Sequence, residues 1–201
     1  MIRVPVEGPQ GMNKIQRRLC VFCGSKAGSK EVYTLSARRF GKAMVQRGLS
    51  LVYGGGHIGL MGILADAVLE SGGEAIGVIP KSMIEAELAH MKLTQLHVVD
   101  TMHQRKAMMA DLADGFAALP GGFGTADELF EILTWSQLHY HAKPVGILNV
   151  DGFFDPLLAW LDRALEDGFL KLKHRRLLIE AREPEELLDR LWADNAAGKC
   201  S

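Results

Sequence analysis

Short apolar runs alternate with longer amphipathic stretches along most of the chain. The runs Leu19–Cys23, Leu49–Tyr53, Ala75–Ile79, Leu96–Val99, Phe116–Leu119, Pro144–Val150 and Leu177–Ala181 are bounded by glycine, proline or charge. Such blocks suit strands buried on both faces, as in a parallel sheet. The stretches between them read as helices. From Glu31 to Arg47, the residues Val32, Leu35, Phe40, Ala43 and Met44 fall near helical spacing, and Gly48 stands where a helix stops. Further helices are expected after Gly59, from Thr101, over Ala126–Leu138, over Phe154–Asp167 with Pro156 in the opening turn, and over Pro184–Asp194. This alternation predicts an α/β fold: a doubly wound parallel sheet of Rossmann type with helices on both faces.

Two regions interrupt the pattern. Met1 to Arg18 carries Pro5, Gly8, Pro9 and Gly11 without apolar period, which predicts a flexible extension, with Met12 an alternative start, ahead of a single domain over residues 19–201. Pro80 to Leu93 mixes charges and methionines and reads as a short helix or flap over the site.

Phasing singles out one arginine. Thr101-Met102-His103-Gln104 is a capping box, and on the helix it opens, Met102, Arg105, Met109, Leu112 and Ala113 share a face. Arg105 therefore sits inside an apolar stripe. A buried arginine needs an anion, so it is either a structural ion pair or a site residue. Lys106 borders the same stripe.

Two glycine turns supply candidate phosphate sites. Gly54-Gly55-Gly56-His57-Ile58-Gly59 satisfies G-x-G-x-x-G between a strand and a helix, which read alone predicts a dinucleotide. However, it follows the second strand and not the first, and no acid ends the next strand, which runs into Pro80-Lys81. A mononucleotide phosphate fits better. His57 could touch that phosphate, although a loop histidine is more often a solvated bystander. Ser25, in the loop after the first strand, lies where open α/β sheets bind ligands, with a plain connecting turn as the alternative.

The second turn, Leu119 to Glu128, reads LPGGFGTADE. Gly121, Gly122 and Gly124 let the backbone approach a ligand, and a helix from Ala126 would point its free N–H groups and positive dipole end into the turn. Thr125 and Glu128 also have the spacing of a capping box, so an anion site and an ordinary helix start both remain open. Glu128 lies between Ile132 and Trp135 on a helix apolar nearly all round. A carboxylate there needs partners, and the helix N-terminus would help keep it ionised.

Composition narrows the partners. The 201 residues suffice for one α/β core, 48% are hydrophobic, and a net charge of -1 gives no case for a nucleic-acid or acidic-membrane partner. Cys20 and Cys23 lie in a strand and read as core thiols, not as a redox pair, and Cys200 completes no disulfide framework. No apolar run is long enough to span a bilayer and no signal-peptide core opens the chain, so a cytoplasmic location is expected. His139 and His141 alternate like metal ligands but lack a third, and no metal is expected.

Taken together, PGGFGTADE (120–128), GGGHIGLMG (54–62) and MHQRK (102–106) closely resemble the Lonely Guy family of cytokinin-activating phosphoribohydrolases, over roughly residues 19–170. The resemblance implies hydrolysis of the N-glycosidic bond of N6-modified adenosine 5′-monophosphates to a free base and ribose 5-phosphate, without cofactor, by a homodimer. It implies catalysis by Arg105 and Glu128. Substrate contacts are implied for Glu87, Arg105, Lys106, Gly121, Gly122, Phe123, Gly124, Thr125, Glu128 and Thr134. Phosphate contacts are implied for Ser25, Gly54, Gly55, Gly56, Gly59, Gly122, Gly124 and Thr125. The chemistry is that of a glycoside: breaking the bond from purine N9 to ribose C1′ leaves positive charge on the sugar, which a carboxylate can meet. The rival readings are a non-catalytic nucleotide carrier or sensor, a nicotinamide oxidoreductase and a lysine decarboxylase. The last needs a Schiff-base lysine and a ring-nitrogen partner, and no such pairing stands out.

Overall fold

The computed structural model describes residues 17–85 and 89–193. Most of the expected N-terminal extension, together with Glu87 and Cys200, lies outside the described residues. Seven strands form one sheet: β1 Arg18–Phe22, β2 Ser50–Tyr53, β3 Ala75–Pro80, β4 Gln95–Val99, β5 Gly115–Ala118, β6 Val145–Leu148 and β7 Leu178–Ala181. Their order is β4-β3-β2-β1-β5-β6-β7, and all pairings are parallel. The helices are α1 Glu31–Gln46, α2 Gly59–Glu70, α3 Lys81–Glu85, α4 Met102–Leu112, α5 Phe123–Gln137, α6 Asp155–Glu166, α7 Leu172–Arg175 and α8 Pro184–Ala193. Among the described residues no helix is long and apolar enough to cross a membrane.

Side-chain alternation along β1 divides the interior into two cores. Leu19 and Val21 join Phe40 and Met44 of α1, Leu64 of α2 and Leu187 of α8 on one face. Cys20 and Phe22 join Met109 of α4, Leu129 and Ile132 of α5, and Leu158 of α6 on the other. The strands are buried on both sides, which is why they read as continuous apolar blocks.

Several local signals were faithful. Thr101 caps α4, accepting from Gln104 N while the Gln104 side chain accepts from Thr101 N. Gly48 follows α1 in a left-handed conformation, φ +67°. Other boundaries moved. The block expected to run through Val150 leaves the sheet after Leu148, because the fully buried Asn149 bonds to Asp155 and Glu180 and accepts from Phe154 N. The short helix α7 was not anticipated. The flap region contains α3, then rejoins the body where Ala89 pairs with Gly56.

The topology places the site. From β1 the chain steps outward to β4, then crosses back over α4 to β5, so β1 and β5 flank the point where strand progression reverses. Ligands of open α/β sheets bind outside the carboxyl ends of the strands at that point.

Candidate active site

The loops after β1, β2 and β5 converge there. Gly24 N donates to the Pro120 carbonyl at 3.0 Å, and the Gly24 carbonyl accepts from Leu60 N at 3.0 Å and Met61 N at 3.4 Å. One residue thus joins the loops after β1 and β5 to the first turn of α2. It also occupies donors in the first turn of α2, so part of the helix terminus behind Gly54–Gly59 is already satisfied by protein.

The start of α5 differs. The helix begins at Phe123, three residues earlier than expected, with Gly122 as N-cap and no side-chain cap bond. Its first closing bond runs from Ala126 N to the Gly122 carbonyl at 3.1 Å. The capping-box reading of Thr125 and Glu128 is therefore wrong: Thr125 lies inside the first turn and Glu128 in the second. The N–H groups of Phe123, Gly124 and Thr125 have no intrahelical acceptor. Among the described residues, a Cβ on Gly122 or Gly124 would meet nothing within 4 Å, so none of them crowds this terminus. Gly121 admits no side chain, since a Cβ would stand 2.1 Å from Thr125 Oγ1 and 2.9 Å from Gly24 N. An uncapped helix terminus with open glycines is suited to an anion.

Behind it stands the pair that phasing singled out. Arg105 and Glu128 are only 6% and 9% exposed. Arg105 Nε donates to the Val78 carbonyl at 3.1 Å, and Nη1 lies 3.4 Å from Glu128 Oε1. The guanidinium passes over Gly54, where a Cβ would fall 1.8 Å from Nη2. Gly54 thus makes room for Arg105, a role the glycine motif did not suggest.

Burial and the neighbouring Arg105 charge act on the Glu128 carboxyl in opposite directions. Burial pushes its carboxyl up, against the opposing pull of Arg105, with Asp127 adding to the rise. Cys20 and Cys23 are free and buried, and burial followed by the Glu128 charge raises both thiols. Neither is poised as a thiolate.

The curated relatives decide the family. The cytokinin riboside 5′-monophosphate phosphoribohydrolase LOG of Oryza sativa subsp. japonica is 50% identical over 175 residues, 87% of this chain and 72% of its own length. A cytokinin riboside 5′-monophosphate phosphoribohydrolase of Arabidopsis thaliana is 48% identical over 175 residues, 87% of this chain and 82% of its own. The chain belongs to the cytokinin riboside 5′-monophosphate phosphoribohydrolase family. A family profile described as "Possible lysine decarboxylase" matches residues 61–191. Among solved structures, the molybdenum cofactor carrier protein of Chlamydomonas reinhardtii matches with a TM-score of 0.68 at 22% identity, over 89% of this chain and 99% of that one. The molybdenum cofactor binding protein of Rippkaea orientalis matches with a TM-score of 0.69 at 19% identity, over 91% and 99%. These two likenesses establish the Rossmann-like fold alone.

The other contacts expected of a phosphoribohydrolase site fall into groups. Phe123 stands at the mouth, 97% exposed. Ser25 and His57 are exposed, and the Ser25 backbone packs so tightly on Gly59 that a Cβ there would lie 2.3 Å from the Ser25 carbonyl carbon. The Gly55 and Gly56 carbonyls serve the scaffold, accepting from His90 N at 2.9 Å and from the Tyr53 hydroxyl at 3.1 Å. Lys106 Nζ sits 3.1 Å from both Asp127 and Glu131, linking α4 to α5. Burial works to lower the Lys106 pKa, but its bonds to Glu131 and Asp127 prevail and hold it raised. Thr134 donates to the Phe130 carbonyl at 2.7 Å and lines a separate cavity of about 400 Å³ with Leu133 and Trp160. Within one chain it does not join the Arg105–Glu128 pair.

Sequence reasoning missed the supports: the Val78 carbonyl, the Asp127–Lys106–Glu131 link, and His90, whose Nε2 lies 3.0 Å from Asp66 Oδ1. Only Lys106 carried a signal, as a neighbour of the stripe. The rest are contacts between elements far apart in sequence, which no local spacing encodes.

Proposed function

We propose that this protein hydrolyses the N-glycosidic bond of N6-modified adenosine 5′-monophosphates, releasing the free base and ribose 5-phosphate. The carrying observation is the buried Arg105–Glu128 pair one turn inside an uncapped helix terminus. The activity for which these relatives are named supports the same reading. In this mechanism the 5′-phosphate accepts from the N–H groups of Phe123, Gly124 and Thr125. That remote binding places ribose C1′ against Glu128. As the bond to N9 breaks, the ionised Glu128 faces the positive charge developing on the sugar, and water adds at C1′ while the purine leaves with a proton. Arg105 holds the carboxylate in place and favours its ionised form.

Incubation with AMP, N6-isopentenyladenosine 5′-monophosphate, NADH and lysine separates the rival classes. Free base with ribose 5-phosphate is expected. Binding of the monophosphate without turnover would leave a carrier, and carbon dioxide from lysine would leave a decarboxylase.

The acid limb of kcat/KM carries a second expectation. Since burial raises the Glu128 pKa, the active carboxylate is lost as pH falls through a value above the ordinary glutamate range. Arg105→Gln removes the lowering influence and should move this limb to still higher pH. A limb at or below the ordinary range would contradict Glu128 as the ionised group.

We further infer a homodimer through the face formed by α5 and α6. Trp160 and Phe169 are 58% and 88% exposed around the groove that Phe130 and Leu133 help line, an apolar patch of the kind that marks association. Light scattering should give twice the chain mass of 22.0 kDa. A monomer mass at all concentrations would overturn this.

A further inference from the structure

A second cavity, of about 470 Å³, opens beside the amino ends of β6 and β7. Its wall comes from the end of α5 and the loop into β6, from α7 and the start of β7, and from Arg190 and Leu191 of α8. Since all strands are parallel, it lies at the opposite end of the strands from the glycine loops. Its charge is one-sided. Lys143, Lys173, Arg176 and Arg190 line it with three histidines, and among the described residues no carboxylate does. In a chain with 23 basic and 24 acidic residues, that separation stands out.

Half of these cations are engaged. Lys143 Nζ donates to the Ala110 carbonyl at 2.8 Å, and Arg190 Nη1 lies 3.3 Å from Glu186. Lys173 and Arg176 are exposed and form no ion pair among the described residues. Burial lowers the His174 pKa, and Lys173, Lys171 and His139 lower it further. His139 follows α5 with φ +64°, a left-handed position where glycine is usual and where a larger residue carries strain. His141 has a structural use, accepting from Lys143 N at 3.1 Å and bonding the Ile132 carbonyl at 3.0 Å.

Concave, one-signed surfaces concentrate counter-ions, and unpaired cations in a cleft gain most from a multivalent anion. We propose that this basic cavity binds an oligophosphate chain, with Lys173 and Arg176 as its principal contacts, at a site separate from the glycine loops. The chain could belong to an inorganic oligophosphate or to a nucleotide, since the cations recognise only the phosphoryl oxygens.

Isothermal titration with inorganic triphosphate, and separately with ATP and adenosine, tests this on the full-length protein. Triphosphate and ATP should both bind the wild type, and adenosine should not bind this cavity. The double variant Lys173→Ala/Arg176→Ala should weaken triphosphate binding by about 10-fold or more, because neither side chain can then donate a charge-assisted bond to a phosphoryl oxygen. Its kcat/KM for the monophosphate should be unchanged and its light-scattering mass that of the wild type. Equal triphosphate binding in the double variant would assign the anion to the glycine loops and overturn the proposal. So would binding of ATP without binding of inorganic triphosphate.

Discussion

Arg105→Ala is expected to remove most turnover, about 100-fold or more, as loss of a preorganised charge in a closed site does. Gly54→Ala should cost at least about 10-fold by the same route, though an alanine methyl is small and the residue lies far from Arg105 in sequence. A Cβ at position 54 would stand 1.8 Å from Arg105 Nη2, so the guanidinium must leave its place. Its bonds to Val78 and Glu128 go with it. Arg105→Lys keeps the charge but not the fork that reaches both partners, and should recover little activity. Steady-state kinetics with circular dichroism and melting curves check the three together. Full activity in Gly54→Ala would mean that the position of Arg105 is not critical.

Glu128→Gln should lower kcat/KM by at least about 100-fold, at the low end of what a positioned catalytic group contributes. Its stability should change little, because the amide oxygen can still accept from Arg105. Glu128→Ala leaves the buried guanidinium without that acceptor and should destabilise by about 3 kcal/mol or more. The pH dependence of stability gives an independent sign. The native state holds the Glu128 proton more tightly than the unfolded chain, where a glutamate titrates near about 4.3. The contribution to stability is therefore full below that pH and declines as pH rises through the raised native value. Glu128→Gln should lack this decline. If the glutamine variant keeps full rate, the pair is a structural ion bridge.

The fold was legible because strands buried on both faces write themselves as apolar blocks, and because Thr101 and Gly48 act through neighbours three or four residues away. Arg105 was legible for a related reason: a charge within an apolar helical stripe is anomalous whatever the tertiary context. The start of α5 was misread. Three glycines disfavour helix, and Thr125 and Glu128 copy the spacing of a cap, yet the bond from Gly24 to Pro120 fixes the turn and lets the helix begin at Phe123. The packing of Arg105 over Gly54 has no trace in the glycine motif, because Arg105 arrives from another element. Asn149 ended a strand through partners on β7 and α6 that periodicity does not record.

The most direct measurement compares N6-isopentenyladenosine 5′-monophosphate with its nucleoside under identical conditions. Equimolar free base and ribose 5-phosphate should form from the monophosphate. The nucleoside should be cleaved about 100-fold or more slowly, because it lacks the charge-assisted bonds to Phe123, Gly124 and Thr125, each worth about 1.5–3 kcal/mol. Equal rates on the two, or release of inorganic phosphate with the glycosidic bond intact, would contradict a site in which the α5 terminus anchors phosphate and Glu128 meets the sugar.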